Sequence, residues 1–435
     1  MDQDDRLSAG RAYLRMLFDI AVNAAHPRAC LAAHLPPPPE RGRIVILAAG
    51  KAAGAMTEIA EQHYLDRLGW PAETLTGLAV TRHGYGRPTR VVPVIEAGHP
   101  LPDQAGLDAT EQALRLADAA GEQDLVLVLL SGGASANWTA PADGLALGEK
   151  QTVTRALLAC GASIGEINTV RKHLSRIKGG RLALRAHPAR VVTLAISDVP
   201  GDDPAVIGSG PTVPDPSTLD DTRAVIARYR LDLPAAVERF LADPQSESPK
   251  PGEAAFAHSS CAIVARPRAA FEAVEAELAA NGDESVFLGD QIEGEAREIA
   301  ERHAGLALAL QREGRRAIIL SGGELTVTVR GQGHGGPNQE YALALALALN
   351  GAPGIQALAA DTDGTDGGAG SPDDPAGAMI DETTLARARN LGLDPAAFLA
   401  ENDATGFFAR LGDLLMTGPT CTNINDFRAI LVDRR

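Results

Sequence analysis

The sequence predicts an α/β protein built on a parallel sheet. Three observations carry that prediction: the unbroken aliphatic runs Ile44 to Ala49, Leu125 to Leu130 and Val191 to Ile196, the turn residues that end each run, and the stretches of helical spacing between them. Aliphatic runs without polar alternation suit strands covered on both faces. The sharpest case is Asp124 to Ala136, where six aliphatic residues stop at Ser131-Gly132-Gly133. Glycines at the carboxyl end of such a strand let backbone N–H groups turn into the crevice where open α/β sheets bind anions. The turn reads either as a phosphate cradle or as a tight βα turn requiring φ > 0.

Composition narrows the function classes. At 435 residues the chain can bury two cores. A formal charge of −16 and an aromatic content of 4 % oppose nucleic-acid binding, which makes local basic clusters informative. The sequence offers no signal-peptide pattern and no apolar run long enough for a bilayer, so neither export nor a membrane is expected. Cys30, Cys160, Cys261 and Cys421 stand far apart without a CxxC pair. Reduced cytoplasmic thiols fit that better than zinc or a disulfide framework.

Leu7, Leu14, Leu17, Phe18, Ala21 and Val22 recur at helical spacing, and Pro27 and then Pro36 to Pro39 end that opening helix. The run Ile44 to Ala49 leads into Gly50-Lys51-Ala52-Ala53-Gly54, which misses two of the three glycines of a dinucleotide fingerprint. A cation at a helix N-terminus is unfavourable unless an anion lies between them, so Lys51 reads as a phosphate or carboxylate ligand, or else as a solvated lysine. Short strands follow at Gly77 to Thr81 and Val91 to Glu96, and the second brings His99 to the strand ends as a substrate ligand or a turn histidine.

A helix from about Gly148 to Cys160 precedes the capping-box pattern Ser163-Ile164-Gly165-Glu166. Ile164, Ile167, Val170, Leu174 and Ile177 then form a helical stripe, with Arg171, Ser175 and Lys178 aligned on another face until Gly179-Gly180 breaks the helix. Between Arg171 and Arg190 stand seven basic residues, including Lys172, and no carboxylate. In so acidic a chain this reads as a site for a polyanion, against the alternative of a solvated face. The run Val191 to Ile196 ends at Ser197-Asp198, where Asp198 is placed as a catalytic or metal-binding carboxylate, or as a helix cap. The loop from Val199 to Pro216 carries Gly208-Ser209-Gly210-Pro211-Thr212.

The polar stretch Asp243 to Glu253 is the predicted linker, dividing the chain into residues 1–242 and 243–435. Strands near Cys261 to Ala265 and Ser285 to Leu288 and a helix from Gly294 to Glu313 follow it. A strand Ala317 to Leu320 is then expected to end in the turn Ser321-Gly322-Gly323-Glu324. Gly331 to Gly336 matches G-x-G-x-x-G formally but has no dinucleotide context, and Asn338-Gln339-Glu340 leads into the helix Tyr341 to Leu349. The run Ile355 to Ala360 ends in Asp361-Thr362-Asp363-Gly364-Thr365-Asp366-Gly367, whose register suits magnesium or a substrate hydroxyl better than calcium. Thr417 to Asn423 adds a hydroxyl-rich turn containing Thr420, before a closing strand Ala429 to Val432. Ser131-Gly132-Gly133, Asp198 and Gly210-Pro211-Thr212 recur in order as Ser321-Gly322-Gly323, Asp361 and Gly418-Pro419-Thr420, which suggests two binding rims facing one cleft.

These motifs carry a family resemblance. GKAAGAM from Gly50, EAGHPLPD from Glu96, LLSGGASA from Leu129, INTVRKHLSRIKGGRLA from Ile167, SDVPGDDPAVIGSGPTVPD from Ser197, SGGE from Ser321, DTDGTDG from Asp361 and TGPTCTNIND from Thr417 resemble the glycerate 2-kinases. These are also called type-2 glycerate kinases; their C-terminal part is the MOFRL domain, and members are often labelled hydroxypyruvate reductases. The resemblance implies a Rossmann-like N-terminal domain and a smaller C-terminal α/β domain, with the MOFRL region at about 312–430 and the active site in the cleft between them. It further implies phosphorylation of D-glycerate to 2-phosphoglycerate by ATP with magnesium.

On that reading Lys51, Asp198, Arg171 and Lys172 are the expected catalytic residues, and Asp198, Asp361 and Asp363 the magnesium ligands. Ser131, Gly132, Gly133, His99, Lys178, Ser209 and Gly210 are expected to bind substrate or nucleotide, together with Ser321, Gly322, Gly323, Glu324, Asn338, Thr420 and Asn423. An arginine that some members carry in the GG-R-NQE segment is replaced here by Pro337, so either Arg171, Lys172 or Lys178 supplies its charge or the segment's role differs. The expected partners are ATP and D-glycerate, with neither nucleic acid nor membrane, and a homodimer left open. An NAD(P)H-dependent hydroxypyruvate reductase and a non-catalytic binder of small organic acids are the alternatives.

Overall fold

The computed structural model describes residues 3–368 and 371–433. It divides into two compact units, Cys30–Val264 and Met1–Ala29 with Ala265–Arg435.

The first unit holds a six-stranded sheet of β1 (Ile44–Ala49), β2 (Leu75–Arg82), β3 (Val94–Ala97), β4 (Leu125–Leu130), β5 (Arg190–Ile196) and β6 (Ser259–Ala265). Their spatial order is β3-β2-β1-β4-β5-β6, the order of a doubly wound Rossmann sheet. The pairs β3–β2, β2–β1, β1–β4 and β4–β5 are parallel. Every residue of β1 and β4 is buried, which explains their unbroken aliphatic sequence. Helices Gln104–Asp118 and Arg181–Ala186 cover one face, with Ala109, Ala113, Leu114 and Leu182 joining Val45, Val126 and Val128 in one apolar cluster. A separate cluster joins helices Leu147–Ala159, Ile164–His173 and Leu219–Tyr229 through Val153, Leu157, Ile167, Val170 and Val225.

The second unit holds β7 (Glu284–Phe287), β8 (Ile292–Glu295), β9 (Ala317–Thr326), β10 (Ile355–Asp361), β11 (Gly377–Ile380), β12 (Leu414–Leu415) and β13 (Asp426–Val432). The order is β12-β11-β10-β13-β9-β7, with β8 also on β9. β7 and β8 run parallel to β9, while the remaining pairs are antiparallel. Helix Pro337–Leu349 is buried nearly all round, which its alternating alanine and leucine residues permit.

Four expectations change. The opening helix, Gln3–Ala25, belongs to the second unit: Phe18 meets Phe427 of β13 edge to face at 5.9 Å, and Arg11 bonds Asp381 at 2.6 Å. The stretch Asp243 to Glu253 lies within the first unit, because β6 completes that unit's sheet beyond it, so the chain passes between units at Val264/Ala265 rather than at 242/243. Ser246 and Ser248 in that stretch are buried. The helix begun at Ser163 has its capping box but stops at His173, so Arg171, Ser175 and Lys178 share no helical face. Finally, Ser321-Gly322-Gly323 is no turn but the middle of β9, paired with Arg428, Phe427 and Asp426 of β13. The echo of the first SGG is therefore one of sequence and not of structure. Among the described residues no helix is long and apolar enough to cross a membrane.

Candidate active site

In the first unit the chain leaves β1 toward β2 on one side and β4 toward β5 on the other, so the β1/β4 carboxyl ends form the topological switch point. Open α/β sheets bind ligands there. Gly50 sits at φ +115°, and a Cβ on it would lie 2.4 Å from both the Ser131 carbonyl and hydroxyl oxygens, so only glycine fits. The Lys51 amide donates to the Gly132 carbonyl at 2.8 Å and the Ala52 amide to Ser131 Oγ at 2.9 Å. Ser131 is thus fully buried and its hydroxyl oxygen already accepts a bond, which makes it a tie between the two turns instead of a direct ligand.

Those ties position three other residues. Gly133, at φ +87°, approaches so closely that a Cβ on it would lie 3.0 Å from His99 Cδ2 and 3.3 Å from Lys51 Cγ. Lys51, His99 and Gly133 therefore pack together at the ends of β1, β3 and β4, and Lys51 and His99 both keep part of their surface open. Asp198 follows β5 and is also partly exposed. Arg82 closes β2 at the same sheet edge, buried, with its guanidinium carbon 5.2 Å from the Tyr85 ring centre. Sequence reasoning missed Arg82; the available signal was an arginine ending an apolar strand.

The basic run is sorted by carboxylates from elsewhere in the chain. Lys172 is buried against Asp215 at 3.2 Å, Arg176 pairs with Glu111 and Arg185 with Asp118. Lys172 is consequently a structural ion pair and not a catalytic cation. Ser209 and Gly210 are likewise used internally. Ser209 Oγ meets Ser135 Oγ at 2.6 Å, and the Ser209 and Gly210 carbonyls accept the Gly179 and Gly180 amides at 2.9 and 2.7 Å. They brace the SGG turn, and Ser209 does so at the strained φ of +64°.

Lys178, also buried, donates from Nζ to the Ser135 carbonyl at 2.7 Å. Burial, then the charges of Lys150 and Arg171, push its ammonium well below the usual lysine range. Lys150, which sequence reasoning passed over, is equally buried, and burial with Arg171 and Arg181 nearby pushes it down to about 7.

In the second unit the Asp361–Gly367 loop and the Thr417–Asn425 loop are bonded into one rim. Thr420 N donates to the Asp363 carbonyl at 3.1 Å, Thr362 Oγ1 to the Asn425 carbonyl at 2.7 Å, and Ile424 N to Thr362 Oγ1 at 3.0 Å. Asp361 Oδ1 accepts the Asp363 amide at 2.9 Å, and Asp363 Oδ1 accepts the Thr365 amide at 2.7 Å. Asp363 and Asn423 are buried, whereas Asp361 is partly exposed. Cys421 and Asn425 hold positive φ of 60° and 65°, the kind of backbone strain that clusters at functional sites.

The SGGE and NQE motifs turn out to be structural. Ser321 Oγ and the Gly322 carbonyl accept from buried Arg428 at 3.2 and 2.5 Å. Gly322 and Gly323 allow close packing, since a Cβ would meet the Phe271 ring at 2.5 Å and the Ile292 amide at 2.2 Å respectively. Glu324 alone of the four is exposed. Asn338 is fully buried, its Nδ2 donating to Asp366 Oδ1 at 3.2 Å and Asp426 Oδ1 at 2.6 Å, which removes it from the binding set. Pro337 opens the helix, where a missing N–H costs nothing, and the Asp366 carboxylate accepts the next two amides, of Asn338 and Gln339, at 3.0 and 2.8 Å. Burial and then Asp426 still push the Asp366 carboxyl up to about 7 against these donors.

Among the described residues no group of three or more acidic, histidine or cysteine side chains is arranged to hold a metal. Magnesium, however, commonly takes only one or two protein carboxylates and fills its remaining positions with water and phosphate oxygens. Asp198, or Asp361 with Asp363, meets that smaller requirement.

A Rossmann-ordered sheet with lysine, histidine and a close-packed glycine at its switch point defines an α/β protein of the class whose ligands bind at the strand ends. Residues 13–242 match a domain of unknown function, DUF4147, and residues 317–426 match the MOFRL family. A protein of Agrobacterium vitis provisionally named as a hydroxypyruvate reductase is 46 % identical, over 98 % of this chain and 95 % of its own. The D-glycerate 2-kinase of Thermotoga maritima is 39 % identical, over 88 % of this chain and 89 % of its own. The crystal structure of glycerate kinase from Thermotoga maritima superposes with a TM-score of 0.83 at 36 % identity, covering 97 % of this chain and all of that one. The chain belongs to the glycerate 2-kinase family, with its DUF4147 and MOFRL regions.

Proposed function

We propose that this protein is a glycerate 2-kinase, transferring the γ-phosphoryl group of ATP to the 2-hydroxyl of D-glycerate. The observation that carries the reading is the Lys51–His99–Gly133 cluster at the switch point, in a chain so similar to a D-glycerate 2-kinase. Phosphoryl transfer asks a protein chiefly to position reactants and screen charge. Lys51 offsets negative charge on the transferring group or on the glycerate carboxylate, and His99 and the Gly132-Gly133 turn hold the same anion in register. Asp198, partly exposed just beyond β5, is the carboxylate assigned to orient the substrate hydroxyl and accept its proton. Magnesium, when bound, would neutralise charge on the nucleotide phosphates. The four cysteines are free thiols, which supports a cytoplasmic setting.

The reductase name borne by one relative finds little support in the first turn. A dinucleotide fold aims its amides there at the pyrophosphate, whereas the Lys51 and Ala52 amides are bonded to Gly132 and Ser131. Purified protein incubated with ATP, magnesium and D-glycerate is expected to release ADP and give 2-phosphoglycerate by phosphorus NMR, with no change in nicotinamide absorbance when hydroxypyruvate and NADH or NADPH are supplied. Oxidation of NADH or NADPH by hydroxypyruvate without ADP release from glycerate would reverse the assignment.

A further inference from the structure

Lys150 stands in the apolar stripe of helix Leu147–Ala159 with Val153 and Leu157, and is 5 % exposed. Among the described residues its ammonium has no hydrogen-bond partner. An unpartnered buried polar group is costly, and a charged one more so. The cations around it add to that cost: Arg171 and Arg181 oppose its charge, and Lys178 in turn feels both Lys150 and Arg171. The acids of the neighbourhood are committed to other groups. Asp215 pairs with Lys172, and Asp215, Glu247 and Glu253 act on Arg181. Lys150, Arg171 and Lys178 are left as a cluster of basic groups to which, among the described residues, no carboxylate is bonded. Arg171 keeps part of its surface open, and the Lys178 bond to Ser135 joins the cluster to the short helix Ala134–Asn137 that follows the SGG turn.

We infer that Lys150, Arg171 and Lys178 form an anion pocket that takes the polyphosphate chain of the nucleotide, with Lys150 as its innermost ligand. The inference rests on the kinase reading for the identity of the anion. Charge decides between the substrates: a single carboxylate can pair with one of the three basic groups, whereas a polyphosphate chain can hold all three in their protonated form. Burial and the neighbouring cations push the Lys150 ammonium down to about 7, so an anion bound beside it is expected to draw a proton from the buffer onto Nζ.

The test is calorimetric titration of the full chain with inorganic tripolyphosphate, and separately with D-glycerate, at about pH 8 in buffers of different ionisation enthalpy. Wild type is expected to bind tripolyphosphate with net proton uptake. Lys150→Met is expected to weaken that binding at least about tenfold and abolish the uptake, while Lys150→Arg retains binding without uptake. Arg171→Met, at a partly exposed position, is expected to weaken binding as well, its fold verified by the denaturation midpoint. Unchanged tripolyphosphate binding by Lys150→Met, or a loss confined to D-glycerate, would overturn the pocket. ADP release from ATP and D-glycerate by wild type is measured alongside. Its absence with tripolyphosphate binding intact fails the kinase reading alone, whereas turnover with Lys150→Met binding normally fails the pocket alone.

Discussion

Both units bury charge, and Arg428 and Asp366 in the second are treated in the opposite way from Lys150 in the first. In the second unit Arg428 is 1 % exposed yet donates to Asp426, Ser321 and Gly322, while Asp366 accepts two backbone amides and the Asn338 and Gln339 side chains. In the first unit Lys150 is also buried and, among the described residues, bonds nothing, while Lys178 bonds the Ser135 carbonyl at 2.7 Å. A buried charge with a completed shell of partners holds a fold together, and one with an open shell is held in readiness for a ligand.

Substitutions separate the two kinds. Arg428→Met removes the partner of buried Asp426 and should cost about 3–5 kcal/mol, read as a lower denaturation midpoint. Lys150→Met should move stability the other way, by about 1–3 kcal/mol, since it replaces an unpartnered ammonium with an apolar chain of similar shape. A destabilised Lys150→Met would mean that the lysine has a structural partner after all.

The pH dependence of stability sharpens the contrast. The folded-state pKa of Lys150 is depressed to about 7, so from pH 7 toward the ordinary lysine range the unfolded chain binds more protons and this residue's contribution to stability rises with pH. Asp366 is raised to about 7, so its contribution is fully present below the ordinary aspartate pKa and is lost as pH rises through 7. Denaturation midpoints of wild type minus Lys150→Met should therefore climb on the alkaline side. The smallest expected effect is Pro337→Ala: loss of the preset φ at the first helical position should cost under about 1 kcal/mol and leave turnover unchanged.

How much the sequence discloses varies with range. The buried strands β1, β4 and β5 and the capping box at Ser163 are local and legible, whereas the helix expected to run to Gly179-Gly180 ends at His173. What escapes is set by distant partners. No spacing rule shows that Asp215 neutralises Lys172, that Arg428 threads the second SGG into a strand, or that Asp426 and Asp366 claim Asn338. Lys150 did leave a trace, since Lys150, Val153 and Leu157 stand at i, i+3 and i+7, so the lysine falls on an apolar stripe. Lys51, His99 and Asp198 were legible as strand-end residues because parallel sheets gather such residues at one edge.

The most direct test concerns Lys51, the cation packed against His99 and Gly133. Glycerate-dependent ADP release should be measured for wild type and for Lys51→Met, whose fold is first verified by its denaturation midpoint. Loss of one well-placed donor to a developing charge typically removes about 10²–10³ in turnover, and that is the predicted fall, with the midpoint close to wild type. A folded Lys51→Met enzyme that turns over D-glycerate at the wild-type rate would contradict the assignment of the switch point as the reacting site.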